Sequence, residues 1–333
     1  MCSGERVKKP VPDSDATVRI VPVRRLSKPR QSWGFILVAG VAILVVAIGA
    51  AWLVWPRQPA VPPTPLPPAT VSTAPLAIQT AGIDRIRANK PTDLSIFRLA
   101  ENPNIAVLDF ASLARQRAML DRIAALIEKS GQPRDRILTP SDLDLAIRSE
   151  GDPDAGFYYG HDYSAASLIR FFAIAKRDHV ELTPEETILG TIIANLGWTR
   201  PDALGGLISL PRAGANANVT MAARDTILTH ELSHGEYFSD PHYAAYVHAF
   251  FQDVLTDTEQ RAFRSFLGND GYDTGNAILM ENETQAYLLF TPDPRFFDLT
   301  QVHMSPNRRA ALRVRFLSGM PAGWLKDLLS SLP

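Results

Sequence analysis

The sequence predicts an α+β fold, mainly α with a small β element, behind a single transmembrane helix. Three observations carry this prediction. A run of 23 residues at 33–55 contains no charge, a proline-dense stretch comes after it, and from about residue 81 onward apolar residues recur at helical spacing with few alternating runs. With 333 residues, 46% hydrophobic and 21% charged, the chain can bury a sizeable core.

Taken in order, residues 1–32 form a basic tail. Residues 1–33 hold eight Lys/Arg against three acids, a net of +5, whereas 26 basic and 32 acidic residues after position 55 give −6. A mildly acidic main region has no electrostatic footprint for nucleic acid. Residues 33–55 (WGFILVAGVAILVVAIGAAWLVW) are long enough, at about 1.5 Å per residue, to cross a hydrocarbon core of roughly 30 Å. Trp33 at one end and Trp52 and Trp55 at the other sit where amphipathic rings anchor at the interface. Arg24, Arg25, Lys28 and Arg30 precede the run and only Arg57 closely follows it, which predicts an inner-membrane, single-pass protein with a cytoplasmic N-terminus and a periplasmic or otherwise extracytoplasmic C-terminal domain. Cys2, the single cysteine, falls on the reducing side, so the exported part has no disulfide.

Residues 56–80 read as a linker, with eight prolines in 56–75 favouring an extended, semi-rigid spacer. Residues 81–333 read as one mostly helical domain. Helical patterns occur at 111–129, 140–149, 164–177, 184–196, 242–254, 257–267 and 307–317. Thr183-Pro184-Glu185-Glu186 has the composition of a helix start. Residues 207–210 and 218–220, around a Gly/Ala/Asn loop, are the expected hairpin or edge strand, and such an edge would pair with an extended peptide substrate.

The chemistry is concentrated in 221–238, MAARDTILTHELSHGEYF. Ala223, Ile227, His230, His234 and Phe238 fall near one helical face, with Glu231 beside them. Histidines at i and i+4 direct ring nitrogens at one point, and zinc takes such nitrogens at about 2.0–2.1 Å. Glu231 comes directly after the first histidine, placed to act as general base on a water that the metal acidifies, without binding the metal itself.

A third ligand is needed. Glu283 lies on a helical stripe with Met280, Tyr287 and Phe290, where a carboxylate is costly unless paired or metal-bound. Glu281 is its close rival, about 100° away around the helix for each position of separation. Asp240, six residues after His234, is the other candidate, but Tyr237 stands where a sharp reversal would need glycine. Tyr287, one turn beyond Glu283, is a candidate oxyanion donor or orienting group, and His303 another. His161-Asp162-Tyr163, in a Gly/Tyr-rich loop, is a candidate cleft lining. Asp225, Glu236, His179, His242 and His248 receive no role.

His230-Glu231-Leu232-Ser233-His234 resembles the HExxH zinc metallopeptidases, and Asn282-Glu283 on a following helix is similar to the gluzincins, in which a glutamate from a second helix completes the site. The resemblance implies a zincin-like, two-lobed catalytic domain with its cleft along the motif helix, over about residues 200–295. It implies a Zn2+ cofactor held by His230, His234 and Glu283, and a peptide or protein substrate. An inactive zinc-binding envelope scaffold and a cell-wall amidase are the alternative functions. Residues 81–200 carry no motif, and stand as a prodomain, a binding lobe or the first half of one domain.

Overall fold

The computed structural model describes residues 76–149 and 157–333. The basic tail, the 33–55 segment and most of the linker lie outside the described residues, and among those described no helix is long and apolar enough to cross a membrane.

The first element among the described residues is β1 (Ile78–Ala81), which starts inside the segment read as linker. A short α1 (Ile83–Ala88) leads to β2 (Leu94–Leu99) and β3 (Ile105–Phe110). Then come α2 (Leu113–Ile127), α3 (Pro140–Ser149), β4 (His161–Ser164), α4 (Ala165–Arg177), α5 (Pro184–Leu196) and β5 (Gly206–Pro211). The remainder is helical: α6 (Met221–Ser239), α7 (Pro241–Asp253), α8 (Asp257–Asn269), α9 (Ala277–Phe290), a 3-10 turn (Leu299–Val302), α10 (Pro306–Gly319) and α11 (Trp324–Ser331). The fold is therefore mainly α with a small mixed sheet.

Local chemistry sets the helix ends. The Thr183 hydroxyl accepts from the Glu186 amide at 3.0 Å and the Glu186 carboxylate accepts from the Thr183 amide at 2.8 Å, closing a capping box at the start of α5. Gly197, at φ 81°, ends that helix in the left-handed conformation. Thr220 caps α6 through Ala223 N at 3.1 Å.

The sheet order is β1-β2-β3-β5-β4; β1 pairs with β2 and β3 with β5 in parallel, while β2–β3 and β5–β4 are antiparallel. This corrects two expectations. Residues 207–210 do form a strand, but β5 is bonded on both sides and has no free edge for a peptide. Residues 218–220 are not a strand; they run into the cap of α6. Because β3 bonds directly to β5, residues 76–200 share one sheet with the strand that precedes the motif helix, and are the first half of a single unit.

Alternating side chains put two apolar layers against the sheet. Leu108, Phe110 and Leu207 pack with Leu120, Ile123, Phe171 and Ile192 of α2, α4 and α5. Val107, Ile208 and Leu210 pack on the other face against Ala223, Ile227 and Leu232 of α6. A third cluster, including Phe250, Phe263, Phe266, Tyr287 and Phe316, joins α7 to α11. Helix α6 lies between the sheet and this helical half, and is buried nearly all round.

Candidate metal centre

Helix α6 is held on the sheet by close backbone approach and by one ion pair. A Cβ on Gly206 would fall 2.9 Å from Gly235 Cα, and one on Gly235 would fall 2.9 Å from Ile105 Cγ2, so helix and strand meet glycine to glycine. In the first turn, buried Arg224 grips Asp109 through two 2.8 Å bonds and donates further to Pro211 O at 2.7 Å and Ile86 O at 2.9 Å. On its other side α6 is tied to α9. Gln285 Nε2 donates to Ser233 Oγ at 3.0 Å, and Thr229 Oγ1 donates to Phe290 O at 2.9 Å.

These fixings bring the motif of one helix to the glutamate of the other. Glu283 Oε2 lies 4.0 Å from His230 Nε2 and 3.9 Å from His234 Nε2, and all three side chains are completely buried. Among the described residues they form a group whose ligand atoms all lie within 4.8 Å of one another. Ligands around a tetrahedral ion at about 2.05 Å are roughly 3.4 Å apart, so small side-chain adjustments would seat one.

The hydrogen bonds fix which nitrogens face inward. The Thr291 hydroxyl has one proton, and Ala286 O, 3.0 Å away, can only accept it. His230 Nδ1, 2.6 Å from the same hydroxyl, must then be the donor, which leaves the lone pair on Nε2 facing Glu283. That Nε2, His234 Nε2 and both Glu283 oxygens have no hydrogen-bond partner of normal geometry. Buried polar atoms that converge without hydrogen-bond partners fit a cation.

Electrostatics agree. Burial, and then His234, holds His230 well below the ordinary histidine pKa; burial pushes His234 down to about 3 against an opposing pull from Asn282. Both imidazoles are therefore neutral, as ligands must be. Burial raises Glu283 well above the carboxylate range, with Glu128, Glu231 and Asp270 adding to the rise and Tyr272 opposing it. Burial and then Glu128 raise Glu231 in the same direction. The Glu231 oxygens have no hydrogen-bond partner, and Gly160 lies against them, where a Cβ would fall 1.9 Å from Glu231 Oε1.

The rival ligands point elsewhere. Glu281 accepts from Gln252 Nε2 at 2.9 Å and lies 2.9 Å from His248 Nδ1. Asp240 caps α7, accepting from His242 N at 2.8 Å. Tyr287 is fully buried, its ring edge-on to His230 at 4.8 Å and to Phe266 at 5.0 Å. His303 is an exposed left-handed residue after the 3-10 turn.

The His161-Asp162-Tyr163 triplet is β4 itself. Asp162 Oδ1 lies 3.7 Å from His234 Nδ1, behind the second histidine. His161 Nδ1 lies 3.1 Å from Tyr163 Oη, and burial lowers its pKa to about 3. Sequence reasoning missed Glu128, Tyr272 and Thr291. Each lies far from the motif in the chain, and only the fold brings them near it. A cavity of about 430 Å3 opens elsewhere, between Leu138, Val180, Leu182 and Pro184, and no ligand residue lines it. Compared with family models, curated proteins and solved structures, the chain gives no match, so its chemistry is read from its own residues.

Proposed function

We propose that this protein is a zinc-dependent hydrolase, a peptidase acting from a membrane tether in the cell envelope. One observation carries the reading: two neutral imidazole nitrogens and the Glu283 carboxylate converge while Glu231, beside them, is left without a hydrogen bond. Two nitrogens and one carboxylate with a further position open is a donor set that zinc accepts in hydrolases. Zinc supplies Lewis acidity when bound, polarising a carbonyl and acidifying a water.

The chain's own residues do the rest. His230, oriented by Thr291, and His234, backed by Asp162, hold their ring planes toward Glu283. Glu231 takes the proton of the attacking water and returns it to the leaving amine. Its raised pKa favours taking that proton, and the dry surroundings strengthen every charge interaction. Tyr287, packed on the His230 ring, keeps that ring in place and is the proposed donor to the developing oxyanion. The tether reading rests on the uncharged 33–55 run, and the peptidase reading on the motif's resemblance.

A second reading, a purely structural zinc site in an envelope scaffold, is favoured by the complete burial of His230, Glu231, His234 and Glu283. A structural site has no use for an unbonded glutamate beside its ligands. Glu231→Gln separates the two: with zinc retained, hydrolysis of peptide and cell-wall substrates should drop at least about a thousand-fold. Full activity in that variant would overturn the mechanism. Wild-type protein that holds zinc and cleaves neither substrate class would favour the scaffold, while cleavage confined to cell-wall peptides would mark an amidase.

A further inference from the structure

The metal ligands and Glu231 have no solvent-accessible surface, yet the proposed chemistry needs water and a substrate. The short segment 157–160 lies on Glu231 and ends at the backbone of Gly160. This segment enters β4 and is fastened by side chains from three other places in the chain. Tyr159 Oη accepts from Asn216 Nδ2 at 3.0 Å and from Asn218 Nδ2 at 3.1 Å, both in the loop before α6. Tyr159 O accepts from Gln116 Nε2 of α2 at 3.0 Å. The Lys129 ammonium, just past α2, lies 4.7 Å from the Phe157 ring centre and 5.1 Å from that of Tyr158.

We propose that residues 157–160 are a gate over the metal centre, latched shut by the Tyr159 hydroxyl on Asn216 and Asn218. The inference rests on the zinc reading for its consequence but not for its geometry. The latch is the element suited to part. Asn218 is exposed and Asn216 half-buried, so both amides find water when released, whereas Gln116 is buried and also bonded to Ser209 Oγ at 2.9 Å. Gly160 allows the closed position, because any side chain there would collide with the Glu231 carboxylate. With the latch parted, 157–160 can swing off Glu231 while β4 stays paired to β5 from His161 onward. Opening of this kind is a local equilibrium: it also draws the buried rings of Phe157, Tyr158 and Tyr159 from their packing, so the open state is rare and the latch bonds tune its population.

The test compares full-length wild type with Tyr159→Phe and with the double variant Asn216→Asp/Asn218→Ala. The double variant removes both amide donors from the other side, while the carboxylate introduced at 216 keeps an oxygen for the turn bonds from the backbone amides at 218 and 219. Hydrogen–deuterium exchange at the amides of 157–160 reads the gate without reference to metal; transfer of bound zinc to a chromophoric chelator reads access to the site. Loss of two hydrogen bonds should raise both rates roughly ten-fold in each variant, with zinc content and thermal midpoint near wild type. Exchange at 157–160 unchanged in both variants would overturn the gate, whatever the zinc result. Faster exchange in a protein that binds no zinc would leave the gate standing and remove the zinc reading.

Discussion

Helix α6 carries two buried polar clusters along its length, and they are built on opposite rules. At Arg224 the neighbours answer the charge: Asp109 takes two bonds, Pro211 and Ile86 give their carbonyls, and Asn89 Nδ2 donates to Asp109 at 2.7 Å. At His230, His234 and Glu283, two ring nitrogens and both carboxyl oxygens converge with no hydrogen-bond partner of normal geometry. Near-saturation, with Arg224 Nε alone of its nitrogens unbonded, marks a cluster whose task is to hold the helix on the sheet. Convergent, unanswered polar atoms mark one suited to a cation. Arg122 and Glu186, a buried and mutually bonded pair at the start of α5, belong with the first kind.

The contrast gives opposite expectations for substitution. Asp109→Asn leaves the Arg224 charge buried without its counterion and should cost about 3–5 kcal/mol of stability, read as a fall in urea midpoint that added zinc does not change. An equal loss from Glu283→Gln in metal-free protein would erase the distinction. Next in size, Thr291→Val removes the group that fixes the His230 tautomer. Zinc affinity should weaken about 10–100-fold by competition with a chelator, and metal-free stability should fall about 1–3 kcal/mol because the buried His230 Nδ1–H loses its acceptor. Smallest is Glu283→Gln without metal. An unbonded carboxylate contributes little to the fold, so the unfolding free energy from urea titration should stay within about 1 kcal/mol of wild type.

How much of the molecule is legible in the sequence depends on whether the signal is local. Residues 140–149 and 184–196 are helices over the ranges their spacing predicts, and the Thr183 start is a capping box. The two histidines need only helical periodicity to share a face. Glu283 stands out from Glu281 because Met280, Tyr287 and Phe290 share its stripe. The strands are mostly illegible. All six residues of β3 are buried, so no alternation marks it, and β4 is four buried residues of which two are His and Asp. Helix α6 is buried on nearly every side, which removes the polar face an amphipathic reading expects. The strand at 207–210 is legible as a strand but not as a central one, since its partners β3 and β4 lie far off in the chain and no local pattern names them. Thr291, Asp162 and Glu128 reach the site from three separate elements, which spacing within one helix cannot disclose.

The most direct test asks which carboxylate completes the site. Metal content by mass spectrometry, with zinc affinity by chelator competition, should be measured on full-length wild type, Glu283→Gln and Glu281→Gln. One zinc per chain in wild type and in Glu281→Gln, with affinity at least about ten-fold weaker in Glu283→Gln, is the result expected. Wild-type protein without metal, or Glu283→Gln binding zinc as tightly as wild type, would contradict it.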